Sequence, residues 1–165
     1  MNVTEYPKVK ETVYSDTLAN GLKVFVIPKK GYQKTFAAFS TKYGSVDNHF
    51  AVGEEPPLRV PDGIAHFLEH KMFEEPDGDV FAVFSANGAS ANAYTGFDTT
   101  VYLFSATEKI RENMSTLLNF VQNPHFTDEN VEKEKGIITQ EIKMYADKPD
   151  WRAYFGLIGA MYHRH

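Results

Sequence analysis

The spacing of apolar and polar positions changes along the chain, and each change marks an element. Near the start, Tyr14–Leu18 and the apolar run Leu22–Ile27 flank Asn20-Gly21. An Asn-Gly pair tolerates the backbone of a tight turn, so the two runs are predicted to pair as a hairpin. Lys29, Lys30 and Gly31 make a polar break, after which Thr35–Tyr43 returns to strand composition. Gly44 to Pro61 holds Asp47, Asn48, Gly53, Pro56 and Pro57 and reads as a long loop. Loops of that length inside a compact domain are more often functional or mobile than inert.

From Asp62 the pattern turns helical. Asp62 is the expected N-cap, and Ile64, Phe67, Leu68, Met72 and Phe73 recur at helical spacing until Pro76-Asp77-Gly78 ends the run. Asp79–Ala86 is predicted as a short helix stopped by Asn87-Gly88. Ala89–Thr95 and Thr99–Ala106 read as two strands joined at Gly96–Asp98. Ile110, Met114, Leu117, Leu118 and Val121 form the apolar stripe of a helix over Glu108–Gln122. Beyond Asn123-Pro124, a helix starting at Thr127 runs to about Ala146, Pro149 closes it, and Trp151–Tyr162 suggests one more helix. Strands come first and in hairpins, helices later. That order predicts an α+β fold with a mostly antiparallel sheet packed with helices. At 165 residues the chain fits a single domain, 1–165, and Tyr162-His163-Arg164-His165 shows no natural stop, so a C-terminally truncated domain is expected.

Composition narrows the function. There are 22 acidic residues against 17 Lys and Arg, a formal net charge of −5, which argues against a general nucleic-acid binder. Without cysteine, a metal site has only His, Asp and Glu to draw on. No apolar run approaches the roughly 20 residues of a membrane span, and the polar start is not a signal peptide. A soluble protein with no membrane partner is expected, with the cytoplasm as the default compartment.

The stretch His66-Phe67-Leu68-Glu69-His70 carries the chemistry. At ~100° per residue, His66 and His70 share one helical face with Glu69 beside them. Two imidazoles a turn apart can bind one zinc ion while the carboxylate reaches a water, the inverted H-x-x-E-H zincin arrangement. A catalytic zinc usually takes three protein ligands, so a third is needed: a carboxylate, or one of His49, His125, His163 and His165. The same residues alone also describe a solvated polar face. Here the flanks Ile64, Ala65, Phe67, Leu68, Met72 and Phe73 argue for a buried helix, and buried imidazoles beside a carboxylate need a partner.

Gly63-Ile-Ala-His-Phe-Leu-Glu-His70 resembles the active-site helix of the pitrilysin-like zinc peptidases, the family of insulysin, mitochondrial processing peptidase and many bacterial zinc proteases. The resemblance continues through Ala91-Asn-Ala-Tyr-Thr95, Asp98-Thr-Thr-Val-Tyr102 and Glu134-Lys-Gly-Ile-Ile-Thr-Gln-Glu-Ile142, in the family's order, and includes the hairpin around Asn20-Gly21. It implies a zinc-dependent endopeptidase in which His66, His70 and Glu141 bind the metal and Glu69 is the general base. Family helices carry two glutamates seven apart, the second binding the metal, and Glu134 and Glu141 match that pair. Glu134 is then expected to orient a ligand or a water. Its alternative is a solvated charge among Glu132, Lys133 and Lys135.

Asn92, Ala93 and Tyr94 resemble the edge strand on which the family seats an extended peptide; an ordinary edge-strand or turn Asn92 is the plain alternative. Tyr94, Phe97 and Tyr102 are expected to pack, and Asp98 to brace the zinc helix or a turn. Family members are clam-shells of two related domains, so a missing C-terminal half or partner subunit is implied, and the isolated piece is expected to be weakly active or inactive. Self-association through its open edge is a further expectation. Two rivals stand beside the peptidase: a non-catalytic substrate-binding or structural subunit of the same family, and a zinc hydrolase of non-peptide substrates.

Overall fold

The computed structural model describes residues 1–163, which fall into two compact units: Met1–Gln33 and the segment from Lys34 onwards. His165, one of the candidate third ligands, lies outside the described residues.

The first unit is an antiparallel meander of β1 (Asn2–Tyr6), β2 (Glu11–Thr17) and β3 (Lys23–Val26), in the order β1-β2-β3. The hairpin predicted around Asn20-Gly21 is β2–β3, with Tyr14 opposite Val26 and Thr17 opposite Lys23. Gly21 takes φ 86°, and the Asn20 Oδ1 accepts the Leu22 N–H, so each turn residue does what its chemistry favours. Strand β1 was not anticipated. Its five residues are all exposed, and its ladder with β2 is built from backbone bonds that a polar sequence does not advertise.

In the second unit, β4 (Thr35–Thr41) is followed by the two-residue strands β5 (His49–Phe50) and β6 (Leu58–Arg59), then α1 (Ile64–Lys71). The short β7 (Glu74–Glu75) and β8 (Gly78–Asp79) lead into α2 (Val80–Ala86), β9 (Ala89–Thr95) and β10 (Thr100–Ala106). Three helices close the chain: α3 (Ile110–Phe120), α4 (Asp128–Ala146) and α5 (Pro149–Met161). The sheet runs β4-β10-β9, antiparallel throughout, so β10 is central and β9 is an edge. The α+β expectation holds.

Central position explains burial. Tyr102, Phe104 and Ala106 alternate onto one face of β10 and meet Phe84, Leu117 and Phe120 from α2 and α3. Fully burying a Leu or Phe side chain, as at Leu117, Phe84, Phe104 and Phe120, stabilises by about 1.5–3 kcal/mol each. Phe73, just beyond α1, joins the same core, its ring 5.0 Å from Phe120 and 5.9 Å from Tyr102. Ala65, 1% exposed, gives α1 a small side chain where the helix is buried. Phe73 thus ties the end of the histidine-bearing helix to the core, and Ala65 marks the side of that helix that is buried.

Several boundaries differ from expectation for identifiable reasons. Asp62 is not the N-cap of α1: Gly63 occupies that position with φ 82°, and Asp62 instead accepts the Asn48 side-chain amide at 2.8 Å. The 44–61 loop contains a small β5–β6 pairing, His49 opposite Arg59. Pro149 opens α5, its missing N–H costing nothing in a first turn. At the start of α4, Thr127 and Asn130 form a reciprocal capping box.

Candidate metal centre

Helix α4 packs against α1 and brings two carboxylates to its histidine face. The Nε2 atoms of His66 and His70 lie 3.7 and 3.6 Å from the same oxygen, Oε2 of Glu141. The two imidazole rings stand edge to face with centroids 4.6 Å apart. One ligand atom from each of His66, His70 and Glu141 falls within 4.8 Å of the other two.

Zinc bound tetrahedrally at about 2.1 Å from each ligand separates those ligands by roughly 3.4 Å. The two histidine–Glu141 separations, 3.7 and 3.6 Å, lie close to that requirement. The donor set fits as well, because imidazole nitrogen and carboxylate oxygen are what a cysteine-free zinc site uses. Charge points the same way: Glu69, Glu134 and Glu141 converge around two imidazoles with no lysine or arginine bridging them among the described residues.

Glu134 sits one step behind this cluster. Its Oε1 lies 2.8 Å from His70 Nδ1, and an ionised carboxylate can only accept, so Nδ1 carries the proton and Nε2 keeps its lone pair for a metal. The seven-residue spacing of Glu134 and Glu141 places both on the α1-facing side of α4, the buried Glu134 on one ring nitrogen and Glu141 near the other. It is not a solvated charge.

Glu69 is buried, and Thr95 of β9 donates its hydroxyl to Glu69 Oε2 at 3.0 Å. Tyr102 lies in the same region; its burial, reinforced by the Glu69 charge, pushes the phenol well above its usual range and keeps it neutral. His66 and His70 are only half-buried, contrary to the expectation from their apolar flanks, because their face of α1 borders an open cleft of about 1340 Å³. The burial falls on Ala65, Glu69 and Lys71 instead.

Strand period two splits the edge-strand trio. Ala93 packs toward the core with Ala89 and Ala91, while Asn92 and Tyr94 are exposed, and all three line the cleft. Asn92 Oδ1 accepts the Ala93 N–H. Asp98 accepts from its neighbour Thr99 in the exposed β9–β10 turn and does not brace α1. Tyr102 is in the core, whereas Tyr94 and Phe97 are exposed. His49 and His163 are exposed and His125 half-buried, and none joins the cluster. Thr95 was missed as a functional candidate, although alternation along β9 points it the same way as Ala93. Also missed was the aromatic wall opposite, where Tyr145 and Trp151 stack at 4.5 Å and Phe155 follows. The helical spacing of these rings beyond Glu141 was the available signal.

Residues 59–163 match the family model described as Insulinase (Peptidase family M16). The chain belongs to the insulinase family of peptidases. Among its M16 relatives, the uncharacterized zinc protease YmfH of Bacillus subtilis is 59% identical over 98% of this chain and 38% of its own length. An uncharacterized zinc protease of Rickettsia bellii is 31% identical over 88% of this chain and 34% of its own. A crystal structure described as an M16-like peptidase, from Alicyclobacillus acidocaldarius, superposes with TM-score 0.90 at 54% identity, covering 98% of this chain and 37% of that one. The chain therefore spans somewhat over a third of each of these three proteins. Among the described residues, no helix is long and apolar enough to cross a membrane.

Proposed function

We propose that this chain is the zinc-bearing domain of an endopeptidase, with His66, His70 and Glu141 as ligands and Glu69 as general base. The single observation that carries the reading is the convergence of both histidine Nε2 atoms on one Glu141 oxygen, at 3.6 and 3.7 Å, beside a buried Glu69. Zinc at this position supplies Lewis acidity, acidifying water and polarising a peptide carbonyl. Glu69 takes the proton of the attacking water as its oxygen bonds to the carbonyl carbon. It returns that proton to the amine nitrogen as the C–N bond breaks. Glu134 holds His70 in the tautomer that leaves Nε2 free.

Substrate binding follows from the sheet order. Among the described residues strand β9 is paired on one side only, by β10, so its other edge offers backbone groups to an extended peptide beside the Glu69 carboxylate. Asn92, Ala93 and Tyr94 then form the bed of that peptide, with selectivity for unfolded or flexible segments. The activity belongs to the longer protein: a second domain or subunit completes the substrate enclosure, and the 165-residue chain alone hydrolyses weakly, because positioning is a large part of catalysis. A cytoplasmic location completes the reading.

The test is zinc per chain after stripping, reloading and dialysis, together with hydrolysis of a pool of unfolded peptides by the longer protein. Zinc near one per chain, lost in Glu141→Gln, with peptide cleavage lost in Glu69→Gln, supports the reading. Zinc retained by Glu141→Gln, or full activity in Glu69→Gln, overturns it.

A further inference from the structure

We propose that Thr95 is a positioning residue that fixes the Glu69 carboxylate for proton transfer, so that the substrate-seating strand also holds the base. The inference rests on the peptidase reading above and adds a residue to it.

Glu69 has a buried carboxylate and three rotatable side-chain bonds, and it makes no ion pair among the described residues. The nearby buried cation, Lys71, is engaged with Glu74. What holds Glu69 is the Thr95 hydroxyl, 3.0 Å from Oε2. A carboxylate only accepts, so Thr95 donates, occupying one oxygen and leaving Oε1 for the proton of water.

The donor is itself well fixed. Threonine is β-branched and stiff at χ1. Thr95 lies in the β9–β10 ladder opposite Thr100, whose own hydroxyl is tied to the Tyr43 carbonyl at 2.7 Å. Glu69 is therefore oriented by the sheet across 26 residues of sequence. A peptide added to β9 would be aligned by the same strand that aligns the base, and a shift of that strand would move both together.

The experiment compares Thr95→Val, which keeps the shape without the hydroxyl, with Thr95→Ser, which keeps the hydroxyl, in the zinc-loaded longer protein. Thr95→Ala is a second hydroxyl-free variant should the valine fail to fold. Loss of a hydrogen bond to a charged group predicts a fall in kcat of about tenfold or more for Val or Ala, with KM within about twofold. Zinc content stays at the parent level, and Ser restores most of kcat. Crystals of the hydroxyl-free variant should show the Glu69 carboxylate displaced from its parent position. Parent-like kcat in Val, a Ser variant as poor as Val, or loss of zinc in the Val variant each overturns the proposal. A parent that cleaves no peptide sinks the peptidase reading instead. The crystals then decide Thr95: an unmoved Glu69 carboxylate refutes its role, and a displaced one supports it.

Discussion

Glu134 reaches back 64 residues to accept the Nδ1 proton of His70 at 2.8 Å. The contact fixes both the ring angle and the tautomer of a residue whose other nitrogen faces Glu141. Removing the carboxylate in Glu134→Ala should weaken zinc binding by about 10–100-fold, the usual cost of losing a partner behind a metal-bound histidine. Glu134→Gln keeps a carbonyl that can accept the same proton and should lose less. Competition against a chelator of known affinity measures both; equal affinities for parent and alanine variant would remove Glu134 from the site.

The donor set makes zinc retention depend on pH. Imidazole must be neutral to bind, so acidification should release zinc from a protein carrying His66 and His70 as ligands. His70→Ala should abolish retention at every pH, while Glu69→Gln should release zinc over the same range as the parent. Metal analysis after dialysis at stepped pH gives the answer, and a Glu69→Gln variant that loses zinc at neutral pH would contradict the assignment of that residue as base.

Lys71 is fully buried and paired with Glu74 at 2.5 Å. Glu74→Gln strands that cation and should destabilise by about 3 kcal/mol, the low end for breaking a buried pair because Glu74 is itself a third exposed. Lys71→Met removes the charge with the need for its partner and should be close to neutral. The lysine hydrogen bond holds the Glu74 carboxyl below its ordinary range, against the opposing effect of burial. A folded-state pKa that is lowered stabilises above the unfolded value, and the contribution fades as pH falls through the lowered one. Urea titrations at neutral and acid pH should show that loss in the parent and a smaller one in Lys71→Met.

Gly44 lies against the β9–β10 turn so closely that an added Cβ would sit 2.5 Å from the backbone of Phe97 and Asp98. Two further bonds, Ser45 N–H to the Gly96 carbonyl and Val46 N–H to the Phe97 carbonyl, both 3.0 Å, lock the loop there. Gly44→Ala should cost about 1–3 kcal/mol through forced backbone movement and shift the end of the strand that carries Thr95. Thermal unfolding tests the first part; an unchanged melting temperature would mean the turn yields freely.

The parts of the molecule legible in the sequence were those written in local periodicity. Ile110 to Val121 announced α3, Asn20-Gly21 announced a hairpin, and the four-residue spacing of His66 and His70 placed them on one face. Glu141 was different: helical spacing related it to Glu134, and only the family resemblance tied it to histidines so far upstream. What escaped was set by context. Asp62 is a good capping residue drawn away by Asn48, leaving Gly63 to start the helix. Apolar flanks suggested buried histidines, but Ile64, Ala65, Phe67, Leu68 and Met72 do not line the cleft that both imidazoles border. Thr95 carries no signal of its own, because a threonine in a strand is ordinary until the partner of its hydroxyl is known.

The gap between α1 and α4 also has a meaning in time. Domains are built from the N-terminus at about 5–20 residues per second, so a growing chain displays His66, Glu69 and His70 for several seconds before Glu141 is made. Throughout that interval the proposed catalyst has two of its three ligands, and until Glu134 is added shortly before Glu141 it also lacks the carboxylate that orients His70. On the peptidase reading, a chain not yet extended to Glu141 holds an incomplete ligand set, and so no complete centre with which to cut its own unfolded segments or its neighbours.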